Sequence, residues 1–372
     1  MAKKFIQIVP VYPLALTFKE NYFLWPAVMM KEKGYDCEFV TLAQTAKKGG
    51  VESEKSAAAH KGFEVIDSFR VRRFASTLGL LWYVLRQDCV LHAHLRPYLP
   101  SLLASLLPKK KIITPFTYEL GSNFLIRQLS LFLMRRFNNV IPISPYESEV
   151  YLQHGFRKEQ VVWIPLAIDY ALFSRAKKEA AVAKKFGIKN ARLTLVTVAN
   201  FRYFKRVDVL LRAFASLQKS VKSSQLIIVG DDWLAQEGKP SIAEIIKELG
   251  LVNVIRTGYQ HSEVVCKILK FADIFVNTSS VESQCIAVYE AAAAGLPLCL
   301  SDIGSFTEVF REHALYHHYD DAASLKANML HYYSDKRLAG RNAAFLKKFV
   351  KVWDYEVIKR KLWAAYEAVL LR

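Results

Sequence analysis

The stretch ADIFVNTSSVESQCIAVYEAAAAGLPLCLSD, residues 272–302, constrains the fold of this chain more than any other. An apolar strand signal (Ile274, Phe275, Val276) runs into a turn of short polar residues, Asn277 to Ser280, which favour turns and helix caps. After Glu282 comes an alanine-rich run, Ala287 and Ala291 to Ala294, built from the strongest helix former. Gly295 and Pro297 stop that helix, and Leu298 to Leu300 begins a second strand. Strand, turn, helix and strand in this order form the repeating unit of a parallel sheet. Backbone N–H groups at the helix start, expected near Ser283, Gln284 and Cys285, point to the C-terminal edge of the sheet, where open α/β sheets bind ligands. Helical side chains lean back toward the N-terminus, so Glu290 reaches the same mouth as Glu282. A solvated glutamate on a surface loop is ordinary. Glu290, set among Ile286, Ala287, Val288 and alanines, is different, because a carboxylate in an apolar helix is not buried without a partner.

The alternation continues along the whole chain and indicates an α/β protein with mostly parallel sheets. Strands are expected at Phe5–Val9, Cys37–Leu42, Val90–His94, Lys111–Thr114 and Asn139–Ile143, with a helix from Asn21 to Lys33 ending at Gly34. A basic, alanine-rich link (174–189) precedes a second series of strands at Leu193–Ala199, Gln225–Val229, Asn253–Arg256, Ile274–Asn277 and Leu298–Ser301. With 372 residues, 52% of them hydrophobic, the chain is long enough for two domains with full cores. The tail VWDYEVIKRKLWAAYEAVLL reads as an amphipathic helix.

Residues 272–302 resemble the Glu-x7-Glu signature of the family 4 (group 1) retaining glycosyltransferases, with Glu282 and Glu290 on the two glutamates. VVWIPLAIDYALF (161–173) resembles the element that closes the family's first domain. VTVANFRYFKRVDVLLRAF resembles the element that carries the family lysine on the donor diphosphate, here Lys205. Asn200 stands at the family arginine, and Arg202 is the nearby cation that can replace it. A helix start disfavours cations, so Lys205 and Arg206 at this one point to an anionic ligand. QLIIVGDD matches a family strand and turn, so Asp231 and Asp232 are read as a turn rather than a metal site. VNVIRTGYQHSEV matches the element whose backbone receives the nucleotide base, near Gly258 and Tyr259. The first domain departs more. Ala15 to Glu20 replace the family's Gly-Gly turn, and Phe116 or Tyr118 replaces a histidine that contacts the transferred sugar. HAHLRPY resembles the family's H-x-H strand end and makes His94 a candidate catalytic group.

The resemblance implies two doubly wound Rossmann-like domains facing across a cleft, the GT-B fold. Residues 1–170 would bind acceptor and 171–351 the donor, with 352–372 crossing back to the first domain. It implies a metal-independent transferase with a nucleotide-diphosphate sugar as co-substrate, UDP or GDP left open, and a glycan or lipid-linked acceptor. Glu282 would grip the sugar hydroxyls and Glu290 the ribose. Lys205, Arg202 and the helix N-terminus at Ser283, Gln284 and Cys285 would hold the diphosphate, with the base at Gly258 and Tyr259. Another GT-B enzyme, such as an epimerase or phosphorylase, and a non-catalytic binding scaffold remain as alternatives.

Charge is unevenly spread. The net charge is +18, and residues 68–136 hold eleven Lys and Arg against Asp88 and Glu119, a local +9. The cations interleave with apolar residues in FRVRRF, LWYVLR, LLPKKK and FLIRQLSLFLMRRF. That composition suits an anionic membrane surface. The charge alone would also suit nucleic acid, but no helix-turn-helix, RNP or zinc-finger pattern accompanies it, so no nucleic-acid partner is expected. The five cysteines are scattered without a C-x-x-C pair, which argues for a reducing compartment and against zinc or disulfides. MAKKFIQIVPVYP opens on a strand without a secretory apolar core. No uncharged run reaches spanning length, so the expected location is cytoplasmic, peripheral at the inner membrane face.

Overall fold

A computed structural model describes residues 3–10, 24–43, 62–66, 68–94, 98–115 and 123–371. The helix start expected at Asn21, the turn Ala15 to Glu20, and Phe116 and Tyr118 lie outside these residues. The chain forms two compact units, Met1–Leu166 with Glu356–Arg372, and Ala167–Tyr355.

The first unit contains β1 (Lys4–Ile8), α1 (Leu24–Glu32), β2 (Asp36–Leu42), β3 (Gly62–Ile66), β4 (Phe69–Phe74), α2 (Thr77–Leu85), β5 (Cys89–His94), α3 (Leu99–Leu103), β6 (Lys110–Thr114), α4 (Phe124–Met134), β7 (Asn139–Val140) and α5 (Pro145–Gln153). Its sheet has the order β3-β4-β2-β1-β5-β6-β7, parallel except for the β3–β4 pair. The ladder expected to run to Ile143 stops at Val140, near Pro142, which has no N–H to donate.

The second unit contains α6 (Tyr170–Arg175), α7 (Ala180–Phe186), β8 (Leu193–Val198), α8 (Val207–Ser220), β9 (Ser224–Val229), α9 (Ile242–Glu248), β10 (Val254–Gly258), α10 (Ser262–Leu269), β11 (Ile274–Asn277), α11 (Ile286–Ala294), β12 (Leu298–Ser301), α12 (Gly304–Phe310), β13 (Leu315–His317), α13 (Ala322–Ser334) and α14 (Lys336–Phe349). Its all-parallel sheet has the order β10-β9-β8-β11-β12-β13. Apolar cores cover both faces. Val196, Ile227 and Phe275 belong to one, and Leu195, Leu226 and Val276 to the other. This alternation along each strand is the two-sided burial that parallel sheets require. Among its parallel strands each sheet has a switch point, between β1 and β5 in the first unit and between β8 and β11 in the second. Ligand sites of open α/β sheets lie at such points.

The last helix, α15 (Tyr355–Leu371), packs on the first unit. Tyr366 is fully buried and meets Phe5 edge-on at 5.6 Å. Asn139 donates to the Ala365 carbonyl at 3.1 Å, and Lys110 to that of Leu370 at 2.5 Å.

The segment FRVRRF is not a surface patch but strand β4. Its period-two alternation is a strand signal, and its cations are taken up by carboxylates of neighbouring strands. Arg70 pairs with Asp36, Arg72 with Glu38 at 2.9 Å, and Arg73 with Glu64. The buried Glu38 also accepts from the Tyr83 hydroxyl at 2.7 Å. The exposed apolar side chains lie instead on helices, with Leu78 and Trp82 on α2 and Leu125, Ile126, Leu129 and Phe132 on α4. Three aromatic rings there carry a guanidinium, Arg86 over Trp82 at 3.6 Å, Arg127 over Phe124 at 5.7 Å and Arg136 over Phe132 at 5.5 Å. Among the described residues no helix is long and apolar enough to cross a membrane.

Candidate active site

The loops that follow β8 and β11 meet at the switch point of the second unit and are stitched together by hydrogen bonds. The Thr278 hydroxyl donates to the Lys205 carbonyl at 2.8 Å, and the Ser280 amide to the Phe204 carbonyl at 2.8 Å. The Ser279 amide donates to Asn277 Oδ1 at 3.0 Å, and the Ser301 hydroxyl to the Ser279 carbonyl at 2.6 Å. The Ser/Thr turn therefore spends its polar groups on holding two loops in register. A second constraint comes from Gly230, at φ +122, where an added Cβ would lie 1.8 Å from the Ala199 carbonyl oxygen. The β9 turn can close on the β8 loop because no side chain intervenes.

This framework brings Lys205 to Glu282. Lys205 Nζ lies 2.5 Å from Glu282 Oε1, and the Ser279 hydroxyl donates to the same oxygen at 2.8 Å. Burial would push the Lys205 ammonium down, but the Glu282 carboxylate more than offsets that and its pKa is raised. Lys205 is a cation at neutral pH, held in a largely buried position.

Helix α11 begins at Ile286, so its first amides lie slightly later than the expected Ser283, Gln284 and Cys285. Ser283 and Gln284 sit half-buried in the preceding turn. Cys285 is the N-cap and makes no side-chain capping bond. Its thiol, buried and close to Glu282, is pushed up to about 12 and stays protonated. Within α11, Val288, Tyr289 and Ala291 to Ala294 are buried, while Ile286, Ala287 and Glu290 are half-buried. Glu290 therefore shares a half-buried face of the helix with Ile286 and Ala287.

The other expected residues are placed apart from this pair. Arg202 bonds Glu237 at 3.3 Å and stacks on Trp233 at 5.1 Å. In this structure its guanidinium pairs with Glu237, and Lys205 is the cation that reaches Glu282. Gly258 ends β10 with φ +66, and its carbonyl accepts from the Gly230 amide at 2.9 Å. Tyr259 is exposed and lies edge-on to His261 at 5.3 Å. A cavity of about 380 Å³ beside them is lined by Asp231, Asp232, Arg256 and Thr257. Asp231 accepts from the Tyr259 amide at 3.2 Å, and Asp232 from the amides of Leu234 at 3.2 Å and Ile242 at 2.7 Å. Both carboxylates serve turns. No cluster of three or more His, Cys, Asp or Glu suited to a metal ion occurs among the described residues.

His94 differs most from expectation. It lies on β5 in the first unit, 1% exposed, with Nε2 2.6 Å from Gln7 Oε1 and its ring 4.0 Å from that of His92. Burial holds its pKa well below the usual histidine value. The ring is a neutral, packed part of the sheet rather than an exposed acid or base. Sequence reading missed a partner on this face of the sheet. The Tyr366 hydroxyl lies 2.5 Å from His92 Nδ1, across 274 residues of sequence.

The fold and the switch-point pair define a two-unit α/β protein with a partly buried Lys205–Glu282 ion pair at the switch point of its second unit. Residues 179–345 match the model of glycosyl transferases group 1. Over 158 residues the chain is 28% identical to an alpha-monoglucosyldiacylglycerol synthase of Acholeplasma laidlawii, covering 41% of this chain and 38% of that one. Over 237 residues it is 26% identical to a mannosylfructose-phosphate synthase of Agrobacterium fabrum, covering 60% and 52%. The chain thus spans between about a third and a half of the length of these curated relatives. Among solved structures, a sucrose-phosphate synthase of Thermosynechococcus elongatus superposes with a TM-score of 0.78 at 16% identity, covering 99% of each chain. Anabaena HepE in complex with UDP and glucose gives 0.75 at 14% identity, covering 98% and 99%. These likenesses establish the GT-B fold.

Proposed function

We propose that the protein is a retaining, metal-independent glycosyltransferase that moves a hexose from a nucleotide-diphosphate sugar to a glycan or lipid-linked acceptor. The observation that carries this reading is the Lys205–Glu282 pair, set at the β8/β11 switch point beside a helix start that no side chain caps. A departing diphosphate needs a fixed cation and aligned backbone donors, and Lys205 with the first amides of α11 supplies them. Glu282 accepts from hydroxyls of the donor sugar, and Glu290 from those of the ribose. The backbone at Gly258 and Tyr259 receives the base. Metal independence is supported by Asp231 and Asp232, whose oxygens bind turn amides. The family match over 179–345 supports the reaction class.

A lipid-linked acceptor is supported by two relatives whose names include a diacylglycerol or phosphatidylinositol product or substrate. In this reading the protein works at the cytoplasmic face of an anionic membrane. Within residues 68–136 the contact is made by the exposed apolar and arginine side chains of α2 and α4.

The test is a thermal-shift and calorimetric screen with UDP, GDP and ADP, followed by Glu290→Gln. The variant should bind the preferred ribonucleotide about tenfold more weakly, the loss of one hydrogen bond to a charged group. The 2′,3′-dideoxy analogue should bind both proteins alike. Equal losses for the two ligands would make Glu290 a structural residue.

A further inference from the structure

Glu282 has a second role that follows from what holds it. Its Oε1 receives both the Lys205 ammonium at 2.5 Å and the Ser279 hydroxyl at 2.8 Å. Ser279 is 1% exposed and is itself fixed through Asn277 and Ser301. The carboxylate is therefore aimed at Lys205 by a rigid neighbour, in surroundings where the side chains are 15% and 9% exposed and solvent screens little. Any diphosphate that takes Lys205 meets a carboxylate of its own sign already on that cation.

We propose that Glu282 competes with the nucleoside diphosphate product for Lys205 and thereby promotes product release. Ser279 is the positioning residue that keeps the carboxylate in that competition. The inference rests on the assignment of Lys205 to the donor diphosphate. While the sugar is attached, its hydroxyls donate to Glu282 and offset the nearby negative charge. After transfer those donors are gone. The donors left to the carboxylate are Ser279, the neutral Cys285 thiol and Lys205, of which only Lys205 is charged, and re-forming the ion pair weakens the grip on the diphosphate. One carboxylate would then hold the sugar before transfer and help expel the nucleotide after it.

Calorimetry with UDP and GDP on the wild type, Lys205→Ala, Glu282→Gln and Ser279→Ala tests this. Lys205→Ala should bind the preferred nucleotide at least about tenfold more weakly. Glu282→Gln, which keeps the shape and removes the like charge, should bind it about tenfold more tightly. It should also show stronger product inhibition in steady-state turnover. Ser279→Ala should tighten binding by a smaller factor, because both charges remain and only the aim is lost. If Glu282→Gln binds as the wild type does, or more weakly, while Lys205→Ala loses affinity, competition is overturned and the diphosphate site stands. If Lys205→Ala is unchanged, or neither nucleotide binds the wild type, the site falls and this inference with it. Should Glu282→Gln fail to fold, the same criterion applies to Ser279→Ala, where unchanged or weaker binding overturns the proposal.

Discussion

At the β8/β11 switch point of the second unit a lysine faces a glutamate. At the β1/β5 switch point of the first, Gln7 faces His94. Both points lie between parallel strands, yet among the described residues one carries an ion pair and the other a neutral pair. The difference lies in what covers each edge. Loops stitched by Thr278, Ser279 and Ser280 leave Lys205 and Glu282 partly accessible, and each charge has the other as partner. In the first unit, Tyr366 of α15 closes on His92, and Thr114 takes its other nitrogen at 2.9 Å. A buried imidazole can stay only if it is neutral and hydrogen-bonded.

The largest expected consequence of that contrast is acid sensitivity of the first unit. Burial lowers His92 to about 3 and holds His94 well below its ordinary value, whereas an unfolded histidine titrates near 6.5. The unfolded chain therefore takes up protons that the native state refuses. Stability is complete above about pH 6.5 and is lost as pH falls toward about 3. Each histidine should cost about 2 kcal/mol by pH 5, at about 1.4 kcal/mol per pH unit. His317 in the second unit, lowered to about 4 by burial, acts in the same sense, so the variant comparison matters more than the total. Denaturant unfolding at pH 7 and pH 5 should show a loss about 4 kcal/mol smaller in His92→Gln/His94→Gln than in the wild type. Equal losses would break the contrast between a sealed neutral edge and an open charged one.

A smaller effect isolates the seal. Tyr366→Phe keeps the ring that packs on Phe5 and removes the hydroxyl on His92. Leaving that buried nitrogen without its partner should cost about 2 kcal/mol of stability. Nucleotide affinity, read by calorimetry, should not change. A loss of affinity would mean that this edge also belongs to the donor site.

The smallest effects concern the outer cations of the first unit, where strand and helix can be set against each other. Arg127 and Arg136, each replaced by Ser, should lower binding to anionic vesicles by about 1 kcal/mol apiece and change the melting temperature little. Arg70, Arg72 and Arg73 should behave the other way. Their replacement strands Asp36, Glu38 and Glu64 in the sheet and lowers stability. Co-sedimentation that responds to the strand set and not the helix set would remove α4 from the membrane contact.

Much of the second unit was legible in the sequence. β11 and β12 fall where expected, at Ile274–Asn277 and Leu298–Ser301, because apolar runs bounded by Gly, Pro and short polar residues leave a parallel strand little choice. The association of Lys205 with Glu282 was legible only as a resemblance. No local signal says that two loops separated by 77 positions will share a hydrogen bond. In the first unit, β4 was read as an amphipathic basic patch, since residue type shows the charges and not their partners. Arg202, His94 and Tyr366 illustrate the same limit from three sides. A guanidinium finds Glu237 and Trp233, an imidazole finds Gln7, and a phenol from the end of the chain finds His92. Sequence periodicity determined the alternation of strands and helices, because side-chain spacing is a local property of the backbone. Which polar groups are open to a ligand and which are neutralised inside the protein was decided by tertiary structure, because burial and pairing depend on segments far apart in the chain.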